Sequence, residues 1–429
     1  MHSTARAILF TSLLATAVVE SSAQDHWRQV PSPTTHRLWN VHFVDSLTGW
    51  AAGDFGALLR TTDGGESWSV LNPNTTATIL DVFFLTPSLG WAMIWRLEQP
   101  PYGSNILRST NGGEAWTIYE YPEEDVFFQK ILFLDSLNGW MVGNNGTIAR
   151  TTNGGTTWTH AWVDSSQCSR YPMVDMLVQT PQTSFVCGGR MDLSGVMWRS
   201  TNGGAEWSAT CVSPEPIQEM HSIDSLNLIA VGGDMEFGSS IIRTTDGGET
   251  WRYSFLQYFG MAMAISFRTP AEGWVALGFT QTFIYTLDTG RTWTEVPTPN
   301  GAVIYDLVFT DSLHGYAVGD DGVILKYVPQ PADVNDSRTT AASSYSLSPN
   351  FPNPFNPATR INYSIPTREF VSIKVFDLLG REVGVLVSEE KPAGEYSTEF
   401  DATGVPSGVY LCRMQAGALT LTRKIVLIR

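Results

Sequence analysis

The chain reads as an all-β protein: a seven-bladed β-propeller followed by a small Ig-like β-sandwich. Three observations predict this. One eight-residue pattern, Ser/Thr-x-Asp/Asn-x-Gly-x-x-Trp, occurs six times, with its tryptophans 48, 42, 49, 44 and 42 residues apart. That is the period of a four-stranded blade. A seventh period lacks the pattern, and a matching piece stands at the other end of the chain. Residues 345–429 alternate apolar and polar positions in short runs between turn signals, as half-buried strands do.

The six boxes are Thr61–Trp68, Ser109–Trp116, Thr151–Trp158, Ser200–Trp207, Thr244–Trp251 and Thr286–Trp293. Each period has one internal grammar. An apolar strand such as Val41–Val44 comes first. A turn follows, as at Asp45–Gly49, Asp135–Gly139 and Asp311–Gly315. A second strand runs Trp50–Gly53, Trp140–Gly143 or Tyr316–Gly319, and a loop leads to a third, such as Thr147–Arg150. The boxed turn then delivers its tryptophan to the start of a fourth. The last period offers strands over 304–309, 316–319 and 323–328, and no box. The segment Trp-Arg-Gln-Val-Pro at 27–31 matches the fourth-strand segment Trp-Thr-Glu-Val-Pro at 293–297. Residues 27–31 are therefore expected to complete the seventh blade and close the ring, which removes exposed strand edges.

These signals divide the chain. Residues 1–23 read as a secretory signal peptide. One basic residue precedes a 13-residue apolar run, Ala7–Val19, and small residues lie at Ser21 and Ala23. The run is well short of the roughly 20 residues that span a bilayer, and no later segment is apolar enough to do so. The propeller is expected over 24–328, a Pro/Ala/Ser/Thr-rich linker over 329–344 and the sandwich over 345–429.

Composition excludes several classes of function. The 429 residues carry a net charge of −16, a poor match to nucleic acid. Charged residues at 16 % and aromatics at 12 % exclude a disordered or coiled-coil chain. Four cysteines are too few for a disulfide framework. Cys168 and Cys211 could pair in a secreted chain. Cys187 falls in a column with Val142, Val231 and Val318 and reads as a buried small apolar residue, and Cys412 is expected to be unpaired. The histidines are isolated, and no nucleophile elbow, phosphate loop or dinucleotide fingerprint is present. No metal and no cofactor are expected.

The box matches the Asp-box, or BNR repeat, of the sialidase-like propellers. Its Arg-Thr-x-Asp-Gly-Gly wording most resembles the Ycf48/HCF136-like photosystem II assembly factors and their bacterial relatives, over residues 27–328. The resemblance implies the fold and leaves the function open, because these propellers include hydrolases, binding proteins and assembly factors. A sialidase would need an arginine triad and a Phe/Tyr-Arg-Ile-Pro element, and Arg28–Pro31 is not that element. The boxes themselves are assigned to folding. The acceptor is Asp63, Asp246 and Asp288 in three boxes and Asn111, Asn153 and Asn202 in the others. Asparagine can close the turn but cannot carry a proton. The partners Trp68, Trp116, Trp158, Trp207, Trp251 and Trp293 are expected to bury apolar surface between sheets.

The residue before the box is Arg60, Arg108, Arg150, Arg199 and Arg243 in five successive blades, then Tyr285 and Lys326. The column reads either as a binding stripe for an anion or a protein, or as arginines paired with neighbouring acids. The Ycf48-like resemblance implies partner binding at such an arginine patch. Loops on the opposite face add Arg96, Tyr102, Tyr121, Arg190 and Asp192 as candidate contacts for a sugar or a peptide.

In the tail, the ordered motifs Asn353-Pro354, Asn356-Pro357, Gly380-Arg381, Gly394-x-Tyr396, Gly408-x-Tyr410 and Lys424 resemble the type A C-terminal sorting domain of the type IX secretion system. The resemblance implies recognition by the outer-membrane translocon after export through the periplasm, and secretion or display on the surface of a bacterium. The combined expectation is a binding propeller that recognises a protein or a glycan without catalysis. The alternatives are a glycoside hydrolase, which would show two carboxylates roughly 5–10 Å apart in one pocket, and a Ycf48-like extracytoplasmic assembly factor.

Overall fold

The computed structural model describes residues 26–329, 345–348, 350, 355–377, 380–392, 394–417 and 419–427. The expected signal peptide, most of the linker, and Asn353 and Pro354 lie outside the described residues. The chain divides after Val328 into two units, each considered by itself.

The first unit is a ring of seven antiparallel sheets. In the first blade the strands run Leu38–Phe43, Gly49–Gly53, Leu58–Thr61 and Ser69–Val70, from innermost to outermost. The seventh blade is composite, as the sequence implies. Strands Ile304–Phe309, Gly315–Gly319 and Ile324–Tyr327 are completed by Trp27–Val30, which pairs antiparallel with the third through Trp27 opposite Tyr327. Blade four carries a fifth strand that the sequence reading missed. Trp162–Val163 adds parallel to Glu206–Ser213. Beside it, Cys168 and Cys211 form a disulfide with Cα atoms 6.2 Å apart. Cys187 and Cys412 are free and buried.

Each box is a self-satisfied turn. In the first, the Asp63 carboxylate accepts the Ser67 N–H at 3.0 Å and the Thr61 hydroxyl at 2.8 Å, while Thr61 Oγ1 accepts the Gly65 N–H at 2.9 Å. Asn111, Asn153 and Asn202 accept the equivalent N–H groups at 2.9, 2.9 and 3.0 Å. Gly64 and Gly65 sit at φ +69° and +73°, where a side chain is strained. The hydroxyls and N–H groups of Ser67 hold the Asp63 carboxyl down at about 2.

The boxes also stitch the blades together. The aromatic that opens the second strand of one blade reaches the glycine pair of the next blade's box. Trp50 donates its indole N–H to Gly112 O at 3.0 Å, Trp91 to Gly154 O at 3.4 Å, and Tyr316 its hydroxyl to Gly64 O at 3.1 Å, carrying the pattern across the closure. A phenylalanine of the adjacent blade stacks on each ring: Phe84 on Trp50 at 3.6 Å, Phe133 on Trp91 at 3.5 Å and Phe43 on Tyr316 at 3.8 Å. The box tryptophans flank these stacks edge-on, as Trp116 does to Phe84 and Trp158 to Phe133. Such aromatic pairs add to the apolar burial that holds neighbouring sheets.

The second unit is a two-sheet sandwich. One sheet orders Ser346–Leu347, Ala358–Ile365 and Gly394–Asp401. The other orders Glu382–Lys391, Glu369–Phe376, Gly408–Ala416 and Leu419–Leu427. Alternate residues Ile361, Tyr363, Ile365, Val371, Ile373, Val375, Cys412 and Met414 form its core. The sorting motifs acquire a structural account here. Tyr396 and Tyr410 each fold back to donate to the carbonyl four residues earlier, Pro392 at 2.7 Å and Pro406 at 2.6 Å. Gly394 and Gly408 lie directly beside the two rings, where a Cβ would be in van der Waals contact at 3.4–3.8 Å. Arg381 closes a turn through Asp377, by its backbone N–H at 2.9 Å and its guanidinium at 2.6 Å, and Gly380 takes the left-handed conformation, φ +79°.

Candidate functional site

Two surfaces and one channel gather the chemistry of the propeller. The box face carries the Asp-Ser-Leu turns and the boxes. Gly64 donates its N–H to Leu47 O, and Gly154 to Leu137 O, each at 2.9 Å, so the two turn types of a blade lie side by side. The opposite face carries the second-to-third-strand loops and the connections between blades.

The arginine column lies on the box face, where several of its side chains cross to the next blade. Arg60 reaches Glu114 at 3.5 Å and Arg199 reaches Glu249 at 2.8 Å. Lys326 and Arg28 both grip Glu66, each at 2.6 Å, which lowers that carboxyl's pKa. Arg243 donates to Gly290 O at 3.0 Å, and burial together with Arg291 lowers its pKa. In this part of the column the guanidinium takes a partner within the protein.

Arg108 and Arg150 differ. The residue that matches Glu66, Glu114 and Glu249 in the next box is Thr156 for Arg108 and Ala205 for Arg150. Neither arginine has an ion-pair partner among the described residues, whereas Arg60 and Arg199, whose Nε atoms likewise lack an acceptor, are paired through the end of the guanidinium. Arg150 lies over the Trp140 ring at 5.9 Å. Two adjacent guanidiniums on blades two and three are thus half-exposed and uncompensated.

The loop-face candidates do not form one site. Arg96 fastens its own loop, with Asn105 at 3.2 Å, Glu120 at 3.1 Å and the Pro101 carbonyl. Tyr102 is exposed on the blade-two loop, and Arg190 and Asp192 are exposed together on the corresponding turn of blade four. Tyr121 corrects the expectation for it. It is buried, 2 % exposed, with its ring edge-on to Phe128, because the turn after the fourth strand folds it under the next blade.

The sequence reading missed the channel. In six blades the third residue of the innermost strand points toward the axis: Asn40, Asp81, Lys130, Asp175, Glu219 and Asp306; Ala264, the first residue of its strand, holds the same register in blade six. In all but blade six, a β-bulge at the preceding residue turns it there. Most of these side chains accept a backbone N–H from the next blade. Asp81 takes Ile131 at 2.8 Å, Asp175 takes Met220 at 3.1 Å, and Asp306 takes Val41 at 2.8 Å across the closure. Lysine has no acceptor. Lys130 instead places its ammonium 3.4 Å from Asp81 and 3.6 Å from Asp175. Burial opposes its charge, and attraction to Asp81, Asp175, Asp306 and Glu219 more than restores it, so its pKa is raised. Burial raises the carboxyls of Asp175, Glu219 and Asp306, the last to about 6, against the pull of Lys130. The signal was present as one polar residue per period, hidden because its type changes from blade to blade. Among the described residues no cluster of three His, Cys, Asp or Glu side chains is placed to hold a metal ion.

Comparison with known proteins decides the family. The model described as photosynthesis system II assembly factor YCF48 matches residues 19–123, 114–256 and 217–328, together the whole propeller. The chain belongs to the Ycf48 family. The Ycf48 lipoprotein of Trichormus variabilis, a photosystem II assembly protein, is 26 % identical over 320 residues, which is 73 % of this chain and 90 % of that protein. The Synechocystis Ycf48 lipoprotein is 33 % identical over 116 residues, 24 % of this chain and 30 % of that protein. Two solved Ycf48 structures share the fold. That of Cyanidioschyzon merolae has a TM-score of 0.58 at 23 % identity, covering 71 % of this chain and 99 % of its own. One described as Ycf48 bound to D1 peptide has a TM-score of 0.57 at 22 % identity, covering 70 % and 96 %. Beyond the Ycf48 propeller, a secretion system C-terminal sorting domain matches residues 350–428. The chain therefore carries an address for type IX export, to secretion or the cell surface. No helix among the described residues is long and apolar enough to cross a membrane.

Two histidines give this Ycf48-like propeller an acid sensitivity. Burial lowers His42 and His221 to about 4, from an ordinary value of 6.5. His42 faces the Phe84 carbonyl at 2.8 Å, and His221 stacks on Phe267 at 5.2 Å. A depressed histidine favours the folded state fully above pH about 6.5, and that share is lost as the pH falls toward 4. The raised carboxyls work in the opposite direction, so the histidine share is read by difference. Urea midpoints of the native chain should drop relative to His221→Phe between pH 7 and 4.5; a constant gap would contradict the assignment.

Proposed function

We propose that the propeller is an extracellular binding module that recognises a polypeptide partner through the box face, without catalysis of its own. The observation that carries this reading is the uncompensated pair Arg108 and Arg150, in a column whose other arginines are matched within the protein. A guanidinium fork suits a carboxylate, so the ligand is an extended segment with an acidic side chain or a free C-terminus. A similar propeller, solved with a D1 peptide, supports the reading. A role at a photosystem does not accompany it, because the sorting domain directs the chain outward through the outer membrane.

Two experiments test this. Peptides with acidic or C-terminal carboxylates, displayed as an array, should retain the purified mature chain. Arg108→Ala with Arg150→Ala should weaken the best binder roughly 10- to 100-fold, the value of one or two charged hydrogen bonds. Arg60→Ala should change it far less. Equal losses in both variants, or retention indifferent to carboxylates, would remove the assignment. Deletion of residues 345–429 should leave the propeller in the periplasm, and unchanged surface delivery would contradict the role of the tail.

A further inference from the structure

We infer a second binding site, for a neutral sugar, in a cleft on the loop face between blades one and two. The repeat breaks there. Five blades place a glycine at the fifth residue of the second strand, at Gly53, Gly143, Gly188, Gly232 and Gly319. At each a Cβ would lie 1.7–2.2 Å from a carbonyl of the incoming connection, so the chain closes tightly over it. Blade two has Ile94 and then Trp95, where the other blades have Asp, Asn or Gly. A cleft of about 570 Å3 opens beside them, within the range of roughly 300–1,000 Å3 common for small-molecule sites.

The lining has the composition that sugars select. Trp95 is half-exposed and held in place from behind: its indole N–H donates to Phe128 O at 2.7 Å, and Phe127 lies edge-on at 5.6 Å. A fixed indole supplies a platform for the C–H face of a pyranose. Asn72, Asn74 and Asn105 line the same cleft. Asn72 Oδ1 accepts the Asn74 N–H at 2.9 Å and Asn105 Oδ1 accepts Arg96 at 3.2 Å, which leaves both NH2 groups as donors. The Asn74 side chain makes no hydrogen bond among the described residues and offers donors and acceptor together. Three primary amides suit hydroxyl groups, which both give and take.

Charge fixes the class of ligand. Arg96 is already paired with Glu120 at 3.1 Å, and Glu98 brings an acid to the lining itself. The site therefore has no positive charge to spare for a sulfated or carboxylated glycan. It lies on the face opposite to Arg108 and Arg150, so the two sites stand or fall separately.

The test is calorimetric titration of the purified mature chain with cello-, xylo-, manno- and maltohexaose, and with hexagalacturonate as the anionic control. At least one neutral hexaose should bind, and hexagalacturonate should bind more weakly. Trp95→Ala should weaken binding tenfold or more. Asn74→Gly keeps the left-handed backbone at that position, φ +57°, and removes only the amide; it should weaken binding at an unchanged melting temperature. The Arg108→Ala, Arg150→Ala chain should bind the sugar normally. Silence with all four neutral probes, preference for hexagalacturonate, or binding indifferent to Asn74→Gly would each overturn the inference.

Discussion

Replacing Lys130 with methionine should destabilise the propeller by about 3 kcal/mol or more near neutral pH, since removing one partner of a buried ion pair leaves the others uncompensated. Asp81 and Asp175 lie within 4 Å of this ammonium, and their side chains are 3 % and 9 % exposed. Both also hold a backbone N–H of the next blade, so they cannot turn away to water without breaking the seams. The pH dependence identifies the cause. Asp306 sits at about 6 with the lysine present, and losing the cation raises the channel acids further. Protonation then relieves their repulsion, so the penalty of Lys130→Met should shrink between pH 8 and 5. Adding Asp81→Asn, which keeps an acceptor for Ile131, should recover part of the loss at pH 8. A penalty that is small, or the same at both pH values, would show that Lys130 matters only for packing.

The second large effect is expected at the closure. Trp27 is 1 % exposed and stands among Phe283, Trp274, Phe309 and Tyr327, at centroid distances of 5.4–5.8 Å. Trp27→Ala removes that ring from a core with no spare side chain to fill the space, at a cost of about 3–5 kcal/mol. Arg28→Ala breaks a contact of the same four-residue strand to Glu66, yet that contact is exposed and worth under about 1 kcal/mol. Urea midpoints of the two variants should therefore separate widely. Equal, small shifts would mean that the first strand contributes pairing and little packing.

Much of this architecture was legible because it is written in short-range turn chemistry. Each box satisfies its own backbone within eight residues, so Asp63 and Asn111 do one job and mark one place. The closure was legible because residues 27–31 reproduce the wording of 293–297. The sandwich was legible through its alternation and its Gly-x-Tyr pairs. Features that depend on what faces what across the ring were not. Asn40, Asp81, Lys130, Asp175 and Glu219 share a position, but the residue type there runs Asn, Asp, Lys, Asp and Glu. The two-residue strand Trp162–Val163 is too short to show a period. Tyr121 looked like a loop contact because its burial is set by Phe128, on another blade. The arginines were seen as a column, but their separation into paired and unpaired members depends on Thr156 and Ala205, one blade on.

Closure by the first strand also sets an order of events during export. Trp27–Val30 emerges first and its partner Ile324–Tyr327 last, about 300 residues later. The blades between them can form as they appear, each local hairpin folding quickly, but the seam cannot shut before the final strand arrives. The entropic cost of bringing such distant ends together grows only slowly with length, so the seam is limited by arrival more than by stability. The sorting domain follows that strand in the chain. Propeller closure and presentation of the export address therefore become available one after the other, at the end of the same passage into the periplasm.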